Sequence, residues 1–154
     1  MAIVELKPVL ERLAGFPMLT FEAGDVVLSE GSRTGRLLFL IHGAVEVVKG
    51  DWVVARVSEA GAVLGDIAVL QGRPHTADVF AVQPSSFYVV DAAEAFLESE
   101  PLVALYVAVV QSSRIDAANN ALIEARSQLA RFGQRRGLLA ELLDRIGGAL
   151  HAPA

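Results

Sequence analysis

The chain has no cysteine and only three histidines in 154 residues, and each scarcity removes a class of function. Without cysteine there is neither a disulfide frame nor a thiolate zinc site, which fits a reducing compartment and makes a cytoplasmic location the expectation. His42, His75 and His151 share no ligand spacing, so no metal site is expected. Basic residues number 13 against 18 acidic ones. The resulting net charge of −5 argues against a nucleic-acid surface, which needs clustered Lys and Arg. The basic cluster near the carboxyl end, Arg126, Arg131, Arg135 and Arg136, reads as a solvated helix face. The amino terminus, MAIVELKPVLERL, carries acids and a proline where a signal peptide would carry cations and then an apolar run. The longest apolar run, Leu102 to Val110, is far short of the ~20 residues needed to span a bilayer, so no membrane partner is expected. No nucleophile stands in a recognisable motif with a base, and the chain is not expected to be an enzyme.

What is present is a chain of one-domain length, 53% hydrophobic and 20% charged, enough to bury a core. Residues 3–15 read as a short helix, with Ile3, Leu6, Leu10 and Leu13 three or four apart and Gly15 at the stop. From Thr20 to Val90 the pattern becomes strand-like. DVVL, LLFLI, AVEVV, WVVARV, ADVFAV and SFYVV are short, rich in β-branched and aromatic residues, and bounded by Gly, Pro, Asp or Ser. Gly50-Asp51 fits a two-residue hairpin turn. After Asp91, which is placed to cap a short helix running through Glu98, helical periodicity returns. Pro101 suits the first turn of a long helix reaching about Phe132. Leu105, Val109, Ser112, Asp116, Asn119, Ile123 and Ala130 make its mixed stripe, and Gly133 is the expected stop. A last amphipathic helix is expected over Arg136 to Ile146. The domain expectation is therefore residues 1–132 as one domain, with 133–154 as an additional helix and tail.

The stretch Gly61 to Val79, GAVLGDIAVLQGRPHTADV, carries the chemistry. Two turn glycines, an acid directly after the second, a short apolar turn and Pro74-His75-Thr76-Ala77 bring a carboxylate and free backbone N–H groups to one spot. That combination suits a small ligand bearing a sugar hydroxyl and a phosphate. The stretch resembles the phosphate-binding cassette of cyclic nucleotide-binding domains, roughly F-G-E-[LI]-A-L followed by P-R-[ST]-A. The resemblance extends to Phe21, Gly24-Asp25, Val27, Glu30-Gly31, Leu38-Phe39-Leu40-Ile41, Gly43 and Val45-Glu46-Val47, in the family's order and spacing. It covers residues 20 to 130 and resembles the Crp/Fnr-like sensors. It implies an α+β fold: an antiparallel β-roll, jelly-roll-like, with an N-terminal helix, a short cassette helix and C-terminal helices.

In that family the cassette Glu binds the ribose 2′-OH, and Asp66 stands in its place, one methylene shorter. The other reading of Asp66 is a cap on the Ile67–Leu70 turn. The cassette Arg pairs with the cyclic phosphate, and His75 stands there instead, with neither a permanent charge nor a fork. The other reading of His75 is a loop histidine that meets no ligand. Arg73 is a substitute cation or a solvated surface residue. Thr76 matches a second phosphate donor and Ala77 the small residue that allows close approach. The backbone amides of Gly65, Asp66, Ile67 and Ala68 form the helix-start anion site. Ser112, Ser113, Asn119 and Asn120 are the polar candidates for covering the base.

The function this implies is a stand-alone cyclic nucleotide sensor, cAMP first and cGMP second, which signals through its C-terminal helix. No other cofactor is expected. A homodimer through the 101–132 helix is expected. The residues after Phe132 are too few for a helix-turn-helix domain, so no direct sequence-specific DNA binding is expected. The alternative is a degenerate domain of the same fold that binds no nucleotide and serves as a dimerisation or protein-docking module.

Overall fold

The computed structural model describes residues 3–150, with side chains as far as residue 145. The chain divides into two compact units between Gln111 and Ser112. The first begins with α1 (Leu6–Leu13), shorter than the periodicity predicts. Eight strands follow: β1 (Met18–Phe21), β2 (Val26–Leu28), β3 (Leu37–His42), β4 (Val45–Lys49), β5 (Trp52–Val57), β6 (Val63–Leu64), β7 (Asp78–Ala81) and β8 (Ser85–Val90). Between β6 and β7 lies α2 (Asp66–Gln71). After β8 come α3 (Ala93–Ser99) and α4 (Pro101–Leu150). All strand pairs are antiparallel, in two four-stranded sheets ordered β1-β8-β3-β6 and β2-β7-β4-β5. This is the α+β roll with flanking helices that the sequence implies.

The two-residue period of a strand divides the core in two. On β3, Leu37 and Phe39 join Val9, Leu13, Val103 and Val107, a cluster that packs helices against the sheet. Leu38 and Leu40, pointing the other way, join Leu28, Val45, Val79, Phe87 and Val89 inside the roll. A central strand buried on both faces has no polar side, which is why LLFLI reads as a continuous apolar run. Tyr106 of α4 donates its hydroxyl to the carbonyl of Gly61 at 2.8 Å, so the start of the long helix is fastened to the β5–β6 connection.

The β4–β5 hairpin turns through Gly50-Asp51 as expected, with Lys49 opposite Trp52 and Gly50 at φ +58°. Two strands are not among the segments read from the sequence: β6 has only two residues, and β1 begins before Thr20, where the strand-like pattern starts. Asp91 does not cap α3. Ala92 holds the cap position and Asp91 accepts from Arg36 Nε at 2.6 Å. Gly133 does not stop the long helix either, and the separate helix expected from Arg136 is part of α4. A lone glycine in a helix costs about 1 kcal/mol relative to alanine, too little to end it without a left-handed cap. Gly133 has no positive φ.

In the second unit, Ile115, Leu122, Leu129 and Leu143 are exposed at multiples of seven residues. Phe132 and Leu139, also exposed, occupy the companion positions with Ala118 and Ala125. This apolar row differs from the mixed stripe expected from the sequence. Arg136 alone interrupts it.

Candidate functional site

Three pieces of chain assemble the site: the cassette (residues 65–77), the β2–β3 loop (residues 29–36) and α4 up to Gln111. Gly65 precedes α2 at φ +83°, a left-handed conformation that side chains resist. A Cβ there would also lie 2.4 Å from the Arg36 carbonyl oxygen and 3.4 Å from Cε1 of His75. Glycine is therefore required twice over, by φ and by the closeness of the loop. At the far end of α2, Gly72 is again left-handed. Its N–H and that of Arg73 close the helix on Val69 O and Ala68 O, at 3.4 and 3.0 Å. Arg33 donates to the Gly72 carbonyl at 3.3 Å.

Asp66 does not cap α2, whose cap position is held by Gly65; it is the first residue of the helix and is buried, with 4% of its surface exposed. An ionised carboxylate can only accept hydrogen bonds, and out of water it must be supplied with donors. Gln111 of α4 supplies one, its side-chain amide donating to Asp66 Oδ2. The acid that the sequence reading divides between ligand contact and helix cap is thus a tie between cassette and long helix.

His75 is not an exposed loop residue. It is 5% exposed and held through both backbone and side chain. Its N–H donates to Ser32 O at 2.9 Å and its carbonyl accepts from Gly31 N at 2.8 Å. Nε2 lies 2.7 Å from the Thr34 hydroxyl, which itself accepts the N–H of Arg36 at 3.2 Å. A neutral imidazole fits here, accepting the Thr34 proton at Nε2 in one tautomer or donating Nε2–H to the hydroxyl in the other. Desolvation by burial pushes the His75 pKa below its ordinary 6.5, in the same direction.

Of the remaining expected residues, Ala68 is buried, Thr76 and Ala77 are half-buried, and Ile67 and Arg73 are exposed. Asp66, Ala68 and His75 are therefore buried, with Gly65 against the His75 ring, whereas the Arg73 side chain is exposed. Ser112, Ser113, Asn119 and Asn120 belong to the second unit and are exposed. The sequence reading does not identify Thr34, Arg33 or Gln111. For the loop pair, the only available signal is the polar SRTGR run before an apolar strand. For Gln111 there is none, since a glutamine next to serines looks like any solvated helix position.

The family model of the cyclic nucleotide-binding domain matches residues 18–98, more than half of the chain. The chain belongs to the cyclic nucleotide-binding domain family. Among solved structures, a cyclic nucleotide-binding domain from Methylobacillus flagellatus is similar at a TM-score of 0.63 and 22% identity, over 73% of this chain and 69% of that one. The catabolite activator protein of Thermus thermophilus is similar at 0.64 and 19%, over 78% of this chain and 59% of its own. The regulatory subunit of a cAMP-independent protein kinase A from Trypanosoma brucei is similar at 0.54 and 20%, over 64% of this chain and 35% of its own. At such identities the likeness is one of fold. No curated protein matches the sequence. No helix among the described residues is long and apolar enough to cross a membrane.

Proposed function

We propose that this chain is a regulatory, non-catalytic module that takes a cyclic nucleotide, cAMP in the first place and cGMP in the second, and passes its presence on through α4. In this reading residues 1–132 form the sensing domain, and the rest of α4, as far as Leu150, extends its output helix. The observation that supports it best is Asp66, buried at the cassette position where the family presents its ribose-binding acid and bonded to Gln111 on that helix. Gly65, Ile67, Ala68, Thr76 and Ala77 complete the ligand contacts, with Arg73 as an outlying cation. A ligand shifts α4 only if it binds one arrangement of cassette and helix better than another.

Calorimetric titration with cAMP and cGMP, at pH 6 and pH 8, tests the reading. Binding in the micromolar range or tighter is expected, strengthening as pH falls. Burial lowers the His75 pKa in the free protein, and an anionic phosphate, by favouring the imidazolium, makes the imidazole take up a proton on binding. Silence with both nucleotides at both pH values would overturn the sensor reading.

A second reading has its own observation. His75 is buried and already engaged by Thr34, so the cassette presents no permanent cation where the family places its arginine. The similar fold from Trypanosoma brucei belongs to the regulatory subunit of a kinase described as cAMP-independent, and fold alone therefore does not carry dependence on cAMP. In this reading the domain docks or dimerises without nucleotide.

Both readings use α4 as the contact with a second copy of the chain. Ile115, Leu122, Leu129, Phe132, Leu139 and Leu143 repeat on the spacing of a coiled-coil seam and are exposed. The expected mass in solution is that of a dimer, and Leu129→Glu is expected to lower it to a monomer. A wild-type monomer at micromolar concentration removes the dimer from either reading.

A further inference from the structure

A buried carboxylate does not discriminate between an amide N–H and an alcohol O–H as its donor. Asp66 takes the amide of Gln111, forty-five residues away on α4, and is shut off from water. Resting on the sensor reading above, we infer that Gln111 is the ligand-responsive residue of the long helix: its amide occupies Asp66 as a ribose hydroxyl would, and the two compete for one carboxylate.

Three features support the exchange. First, the pairing matches in length. Asp66 is a methylene shorter than glutamate, and glutamine has the reach to close the gap from the helix. Second, Gln111 lies at the edge of the core on α4. Val103, Tyr106 and Val107 are core residues, Val109, Val110 and Gln111 are half-buried, and Ser112 is exposed. Releasing Gln111 therefore loosens the helix at the edge of the core without opening the core. Third, the exchange keeps the acid satisfied at both ends. One donor leaves as another arrives, and the buried charge is never without a partner. A ligand lacking the hydroxyl cannot complete the exchange, so Gln111 sets selectivity for a 2′-hydroxyl as well as the response of the helix.

The test is titration of Gln111→Ala with cAMP and with 2′-deoxy-cAMP beside the wild type, with a thermal melt to show that the variant is folded. Alanine removes the competing donor and leaves room for water at Asp66. The cAMP affinity is expected to rise about five- to ten-fold, the worth of one hydrogen bond to a charged group after exchange, with no such gain for 2′-deoxy-cAMP. In the nucleotide-free variant, the amides of residues 67–71 are expected to exchange hydrogen faster, because the tie on α2 is gone. Should Gln111→Ala not fold, Gln111→Met, of similar volume and without a donor, is read in the same way. Wild-type binding with no gain in the variant, or an equal gain for both nucleotides, overturns the competition while leaving the sensor reading intact. Absence of binding in wild type and variant alike overturns the sensor reading and the competition with it.

Discussion

Gly43→Ala is expected to destabilise the domain by about 3–5 kcal/mol, combining left-handed strain with overpacking of a rigid neighbour. Gly43 sits at φ +113°, outside the range that side chains adopt. A Cβ there would lie 2.2 Å from Ser85 Oγ, 2.5 Å from its Cα and 2.6 Å from its Cβ. Ser85 cannot retreat. It is fully buried, its hydroxyl accepts the N–H of Ala44 at 3.0 Å, and the same hydroxyl lies 2.8 Å from Gln83 O and 3.1 Å from Ala44 O. A loss of this size is a large share of the 5–15 kcal/mol typical of a domain, and partial unfolding at room temperature is the expected phenotype. Gly50→Ala is the control. Gly50 has φ +58° with nothing within 4 Å of the added carbon, so it should lose only about 1 kcal/mol of left-handed strain. Urea unfolding of the two variants decides the matter: equal losses would show that the approach to Ser85 is not a constraint.

His75→Arg is expected to cost about 2–4 kcal/mol in the nucleotide-free protein, because a larger, permanently charged group enters a buried place against Gly65 and Thr34. The wild-type imidazole avoids that cost by staying neutral. Burial depresses its pKa below 6.5, so its contribution to stability is fully present above pH 6.5 and is lost as pH falls through the lower folded value. The unfolded chain binds the proton more readily in that window. Thermal midpoints should therefore fall on acidification from about pH 7.5 to 5.5, and the fall should be smaller in His75→Gln, which keeps a partner for Thr34 without titrating there. Adding cAMP to His75→Arg separates the two functional readings. In a phosphate site the nucleotide restores much of the lost stability, because the guanidinium gains its anion. In a site without phosphate, the melting curve does not move.

Much of the architecture was legible because strands and glycines act locally. The apolar run of β3, the Gly50-Asp51 turn and the order of residues in GAVLGDIAVLQGRPHTADV needed no knowledge of distant partners. Where the sequence misled, the deciding contact was remote. Asp91 has the chemistry of a helix cap, but Arg36 is fifty-five residues away and nothing local announces the pair. Gly133 has the look of a stop, yet glycine only permits a left-handed turn, and α4 continues through it.

The site divides along the same line. The sequence by itself determined that an acid, Asp66, and an imidazole, His75, stand nine positions apart across a short apolar turn, where the family presents an acid and a cation. Residue type and spacing are covalent facts. Only the tertiary structure decided what those groups are doing. Burial lowers the His75 pKa, the β2–β3 loop holds it through Ser32 and Thr34, and α4 brings Gln111 to Asp66. Protonation state and hydrogen-bond partner depend on solvent exclusion and on neighbours tens of residues away, and neither is encoded within the span of a motif.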